Sequence, residues 1–262
     1  MVNAAFTVED GVGRIEVQRP TALNAIDLET KDAMLEHVRA YGERDDVRVV
    51  VFQSEGDVFC AGGDIEEVRE TGYELEPFTQ SWNELFEAMM GLSVPTVARV
   101  DGWALGGGFD LVLHTDIPIA AEDAKLGQPE TGLGIVNHFS PPMLQETVGL
   151  TKTLDMILTG DPITGKEAAE RGLVARSVPA EDLDGEVERV VDSLREKPPE
   201  ILRKAKRGIY ATADMSLRAS RSYLEAISLE SAREEGYYRE GVAAQLEDRP
   251  PEWDAVESAD DT

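Results

Sequence analysis

The chain has 262 residues, 42% of them hydrophobic, enough to bury the core of one large domain, or of one domain with a small appendage, and too apolar for wholesale disorder. Its 52 Asp and Glu stand against 25 Lys and Arg, a formal net charge of −27, and a field of that sign disfavours nucleic acid and anionic lipid as partners. No apolar run reaches membrane-spanning length, the start MVNAAFTVED lacks a basic segment followed by an apolar one, and the single cysteine, Cys60, has no internal disulfide partner, so the expectation is a cytoplasmic protein in a reducing compartment.

In chain order, β-rich runs at Phe6 to Glu9, Gly13 to Gln18, Val47 to Gln53, Thr96 to Val100, Ile117 to Ala121 and Leu173 to Val178 predict strands. Between them, Leu28 to Tyr41 and Phe78 to Met90 carry apolar residues at helical spacing. The alternation predicts crossover units, strands stacked with helices outside. From about Thr151 the pattern becomes almost wholly helical, at Thr151 to Leu158, Glu181 to Leu194, Pro199 to Tyr210 and Ser216 to Glu235. The expectation is a mixed α/β core over residues 1–195 and a helical region over 196–262, whose last residues, Glu252 to Thr262, are acidic and poor in anchors and predict fraying.

The segment Val100-Asp-Gly-Trp-Ala-Leu-Gly-Gly-Gly-Phe-Asp110 reads as a β-run, a turn of three glycines and the start of a helix. Glycines there let backbone N–H groups approach a ligand unobstructed by Cβ, and a helix start adds positive dipole character. A second glycine turn, Phe59-Cys-Ala-Gly-Gly-Asp-Ile65, follows the Val47 run. Together the turns could direct two N–H donors at one thioester carbonyl; losing one such donor costs about 2.7–4 kcal/mol in the transition state. Close strand-to-helix packing or a phosphate cradle would use the same glycines. Two carboxylates lie on separate loops, Asp110 after the triple glycine and Glu130 in Gly127-Gln-Pro-Glu-Thr-Gly-Leu-Gly134; such a pair can share a water for proton transfer, although most of the 52 acids must be solvated surface.

With these residues laid out, the chain resembles the crotonase (enoyl-CoA hydratase/isomerase) family over nearly its whole length. The motifs are Arg19-Pro-Thr-Ala-Leu-Asn-Ala25, the two glycine turns, Gly127-Gln-Pro-Glu130 and Glu240-Gly-Val-Ala-Ala-Gln-Leu-Glu-Asp-Arg-Pro-Pro251. The resemblance implies a spiral of ββα turns with a helical trimerisation region, a homotrimer or dimer of trimers, and coenzyme A thioesters as substrates with no metal or redox cofactor. By position, Gly63 and Gly107 match the family's oxyanion-hole donors. The loop residues Ala22, Leu23, Ala61, Asp64 and Ile65 match its coenzyme A contacts.

Three departures stand out. Family hydratases carry a second glutamate where this chain has Asp110, one methylene shorter and similar to dienoyl-CoA isomerases. Downstream, Leu133-Gly-Ile-Val-Asn-His-Phe-Ser-Pro-Pro142 replaces a glycine-rich turn, putting His138 eight residues after Glu130, either as a third proton-transfer group or as a side chain that narrows the acyl pocket. Finally, Asp248 stands where the family commonly has lysine, leaving Arg19, Arg249, helix N-termini or salt screening to handle the anionic nucleotide. His37 and His114 read as structural. The implied reaction is reversible hydration of a 2-enoyl-CoA. Double-bond isomerisation is the alternative, hydrolysis or decarboxylation of an acyl-CoA a weaker third, and an inactive coenzyme A-binding scaffold the non-enzymatic one.

Only 7 of the 25 basic residues are lysine, and the acids are spread along the chain, which fits a protein adapted to a salty cell interior. At about 1 M salt the Debye length is about 3 Å, short enough to screen the self-repulsion. Dialysis from molar to low salt is therefore expected to unfold the protein, visible as loss of far-ultraviolet circular dichroism; full retention of the signal would refute the salt adaptation.

Overall fold

Two sequence patterns build the main sheet. Glu9-Asp10-Gly11-Val12 places Asp10 and Gly11 at φ 48° and 80°, the left-handed pair that a tight hairpin needs, and so pairs β1 (Ala4–Glu9) antiparallel with β2 (Val12–Val17). The run Val49-Val-Val-Phe52 is buried throughout, as a central parallel strand covered on both faces must be. It forms most of β3 (Val49–Ser54). The remaining strands are β4 (Thr96–Val100), β5 (Trp103–Leu105), β6 (Ile117–Ala121), β7 (Lys125–Gly127), β8 (Ile163–Thr164) and β9 (Arg176–Val178). The six-stranded sheet has the order β1-β2-β3-β4-β6-β9, parallel from β2 onward, and β5-β7-β8 form a second, small sheet.

The computed structural model describes residues 2–234, 236–253 and 256. Its contacts divide into two units, Met1–Asp192 and Ser193–Thr262. Parallel neighbours need crossovers, and helices supply them: α1 (Leu28–Gly42) joins β2 to β3, while α2 (Ile65–Glu70) and α3 (Leu75–Gly91) join β3 to β4. Further along lie α4 (Gly107–Leu113), α5 (Ser140–Val148), α6 (Leu150–Thr159), α7 (Gly165–Glu170) and α8 (Leu183–Arg195), in which the division falls. Helix α1 packs on α3 through an apolar stripe that includes Met34, Val38, Leu85 and Met89, all buried. The second unit contains α9 (Pro199–Ala211), α10 (Leu217–Glu234) and α11 (Gly236–Leu246), with α10 packed on both others. Among the described residues no helix is long and apolar enough to cross a membrane.

The strands expected at Thr96 to Val100 and Ile117 to Ala121 form as read, whereas the one expected over Leu173 to Val178 is confined to Arg176–Val178. Leu173 and Val174 are buried in the turn that leaves α7, so their apolar character reports burial and not extension. From Asp254 the expected acidic tail lies outside the described residues except for Val256.

Asn24 stitches this unit near its first crossover. Fully buried at φ 53°, it donates from Nδ2 to the carbonyls of Glu55 (2.8 Å) and Val58 (2.6 Å), and its Oδ1 accepts from Arg19 N at 2.9 Å. Asn tolerates that backbone region better than most residues. Asn24→Ala would remove three part-buried hydrogen bonds and leave alanine at a strained φ, and is expected to cost about 2 kcal/mol in urea unfolding.

Candidate active site

The two glycine turns meet through a single parallel bridge. Cys60 N donates to Trp103 O and Leu105 N to Cys60 O, each at 2.9 Å, pairing Cys60 with Ala104 of β5. Just beyond it, Ile26 N donates to Gly62 O (2.9 Å) and Asp64 N to Ile26 O (3.0 Å). That alternation turns the Gly63 N–H away from the strand, and among the described residues it has no acceptor. Gly107 opens α4, so its N–H lies among the donors a helix start leaves unused. A Cβ on Gly62 would lie 3.4 Å from Gly107 N, so Gly63 and Gly107, far apart in sequence, face one locality.

Two of the three consecutive glycines are required by geometry. Gly106 has φ 54°, and a Cβ there would stand 2.9 Å from Glu130 Oε1. A Cβ on Gly108 would overlap the Cys60 carbonyl oxygen. Cys60 itself is fully buried, and burial pushes its thiol up to about 12.

A cavity of about 240 Å³ lies against both turns. Its lining includes Gly63, Gly107, Asp110, Glu130, Asn137 and His138, with Phe78, Trp82 and Phe139 among its apolar walls. Asp110, on α4, is 1% exposed. Its Oδ1 accepts from Gln128 Nε2 at 2.7 Å and its Oδ2 from Asn137 Nδ2 at 3.0 Å. The same Asn137 nitrogen lies 3.1 Å from Glu130 Oε1 and 3.1 Å from Gln128 Oε1. Glu130 Oε2 is buried and, among the described residues, has no hydrogen-bond donor. Burial pushes the Asp110 carboxyl up to about 7, with Glu130 adding to the rise and the amides opposing it. Burial also raises the Glu130 carboxyl, against its own backbone N–H and then the Asn137 amide.

The network brings together Glu130 and Asp110, the pair expected to share a water. An amide nitrogen stands between the two carboxylates, both Asp110 oxygens are engaged, and Glu130 keeps a free oxygen. The reason is Asn137, which the sequence reading passed over in favour of His138. Its Oδ1 accepts from Phe139 N (2.8 Å) and Ser140 N (3.2 Å) at the start of α5, fixing its amide inward. His138 is exposed, its ring 3.9 Å from that of Phe139, and it hydrogen-bonds to neither carboxylate. An Asn three residues ahead of Ser140-Pro141-Pro142 was the available signal, since prolines in a first turn mark a helix start and an Asn just upstream can accept from its leading N–H groups.

The other expected residues divide. Ala61 and Ile65 line the cavity; Ile65 and Leu23 are 62% and 56% exposed. Ala22 ends a short 3₁₀ turn, Pro20–Ala22, that lets Leu23 O accept from Ala61 N at 3.0 Å. Asp64 caps α2, accepting from Glu66 N and Glu67 N, and pairs with Arg19. In the second unit Arg249 is held by both oxygens of Glu240 (2.6 and 3.0 Å) and by Glu247 at 2.7 Å. Both arginines expected to meet anionic phosphates are thus already matched by carboxylates. His114 stacks on Phe86 and His37 on Phe6, as structural residues do. Among the described residues no cluster of three His, Cys, Asp or Glu could hold a metal.

Comparison with known proteins now bears on this geometry. The family model for enoyl-CoA hydratase/isomerase matches residues 7–256. The chain belongs to that family. It is 32% identical to a probable enoyl-CoA hydratase of Mycobacterium bovis, covering 92% of this chain and 94% of that protein, and 36% identical to a probable enoyl-CoA hydratase of Bacillus subtilis over 79% and 81%. The crystal structure of enoyl-CoA hydratase from Mycobacterium smegmatis superposes with a TM-score of 0.90 at 28% identity, covering 97% of this chain and 100% of that one. The crotonase fold expected from the motifs is therefore the fold of this chain.

Because the Asn137 amide lowers both carboxyls, Asn137→Ala is expected to raise them further, so that Glu130 ionises only at higher pH. The acid limb of kcat/KM should move upward in pH. An unmoved limb would show that the amide does not tune the pair.

Proposed function

We propose that the protein catalyses reversible hydration of a 2-enoyl-CoA. The carrying observation is the buried, unpartnered Glu130 Oε2 in a cavity bordered by two unused backbone N–H groups. In this reading the thioester oxygen accepts from Gly63 N–H and Gly107 N–H. Glu130 takes a proton from water as its oxygen bonds the β-carbon, the π electrons move to the thioester oxygen as an enolate, and Glu130 then delivers the proton to the α-carbon. Asp110, with a carboxyl near 7, keeps the network hydrogen-bonded and lets one of the two acids ionise at a time. Proton transfer and enolate stabilisation use protein groups alone, so coenzyme A enters as part of the substrate and no metal or redox cofactor is invoked.

One observation favours a second reading. With both oxygens of Asp110 held by amides, a single carboxylate is free, which suits a proton shift between carbons without addition of water. His138, in the cavity wall, would then be the nearest imidazole to a longer acyl chain.

We further propose a cytoplasmic homotrimer or dimer of trimers. Among its described side chains helix α10 has no buried residue, and it exposes Leu217 (71%) and Leu229 (49%), as a helix awaiting a partner does.

Turnover of crotonyl-CoA in high salt, followed by loss of the conjugated-thioester absorbance, is the primary test, and Glu130→Gln is expected to lower kcat by about 10²–10⁴. Heavy-oxygen water should label the product of hydration and leave an isomerised product unlabelled. No turnover with any enoyl-CoA, or an unchanged Glu130→Gln rate, would overturn the reading.

A further inference from the structure

Lys31 is one of the largest fully buried side chains, 1% exposed, and among the described residues its Nζ has no hydrogen-bond acceptor. An ammonium in that condition is costly, and neither the fold nor the reaction above uses it. What it touches is aromatic: Nζ lies 3.5 Å from the centroid of the Phe78 ring and 5.0 Å from that of Trp82, within range of a cation–π attraction. Those two rings are the ones packed on the glycines. A Cβ on Gly63 would overlap Phe78 Cζ, and a Cβ on Gly107 would stand 2.7 Å from Trp82 Cζ2. One cation therefore holds both rings that press on the two candidate N–H donors.

We propose that Lys31 is a positioning residue, its ammonium fixing Phe78 and Trp82 against Gly63 and Gly107 and adding positive potential behind the enolate oxygen. The inference rests on the oxyanion-hole reading of those glycines. The groups acting on Lys31 are Glu67 of α2, Asp27 and Asp32 of α1 and its cap, and the Cys60 thiol; burial outweighs them and lowers the ammonium to about 8. A base whose proton is held less tightly in the folded state destabilises the fold while charged in both states, below about pH 8, and the penalty fades as pH rises toward the unfolded value of 10.5.

Lys31→Met keeps the aliphatic stem and removes the charge. At pH 7 it is expected to raise Tm and yet weaken enolate stabilisation, a combination that a merely structural lysine would not give. The readout is acetoacetyl-CoA, whose enolate absorbs near the edge of the protein band: wild-type protein should favour bound enolate, and Lys31→Met should lower the enolate fraction about tenfold with binding changed less than threefold. The wild-type preference should also decline through about pH 8, and Lys31→Arg should recover part of it. If wild-type protein does not bind acetoacetyl-CoA, the thioester site is wrong and the inference falls with it. If it binds and favours the enolate, but Lys31→Met does so equally and with the same pH profile, Lys31 alone is overturned.

Discussion

The pairing of Cys60 with Ala104 is the contact on which the site depends. Two backbone hydrogen bonds, each 2.9 Å, dock the turn that follows β3 onto the edge strand that leads into α4. Everything distinctive in the neighbourhood follows from how close this brings two main chains. Gly108 has no side chain because the Cys60 carbonyl lies where one would be. Gly106 takes a left-handed φ so that the chain can turn from strand to helix over the Glu130 carboxylate. The two outward N–H groups are left over by the same geometry, as strand alternation disposes of one and the helix start of the other.

Around that framework the polar groups form a closed set of amides and acids. Gln128 and Asn137 hold Asp110, Asn137 also reaches Glu130, and the remaining glutamate oxygen is left without a partner. Burial makes ionisation of either acid costly, and proximity makes ionisation of both more costly still. Both carboxyls are accordingly raised from their ordinary values, by burial first. Membership of the enoyl-CoA hydratase/isomerase family is consistent with hydration and with isomerisation alike.

Much of this was legible in the residues themselves. Long runs with a clear period, such as Thr96 to Val100 and Pro199 to Tyr210, form close to where they were read because one face or both faces are buried. The strands β5, β7 and β8 span two or three residues each, too short to carry a period, and their pairing is imposed by the turns they brace. Helix α5 was not among the expected helices: Pro141 and Pro142 interrupt any helical period, yet they occupy its first turn, where proline has no donor to lose. The glycine turns were visible as motifs, but their convergence is a tertiary fact. Asn137 was missed because counting residues from Glu130 favoured its neighbour, whereas the direction of the Asn137 amide is set by its bonds to Phe139 N and Ser140 N.

Cys60 sits in the seam itself. Its sulfur is walled in at the junction of the two turns and held as a thiol, so alkylating reagents and oxidants, which act on exposed thiolate, find no target while the junction is closed. With no second cysteine in the chain, the rate at which a maleimide attaches measures how often this one seam parts. The molecule thus contains its own gauge of local breathing, at the place where a momentary opening would disarm it.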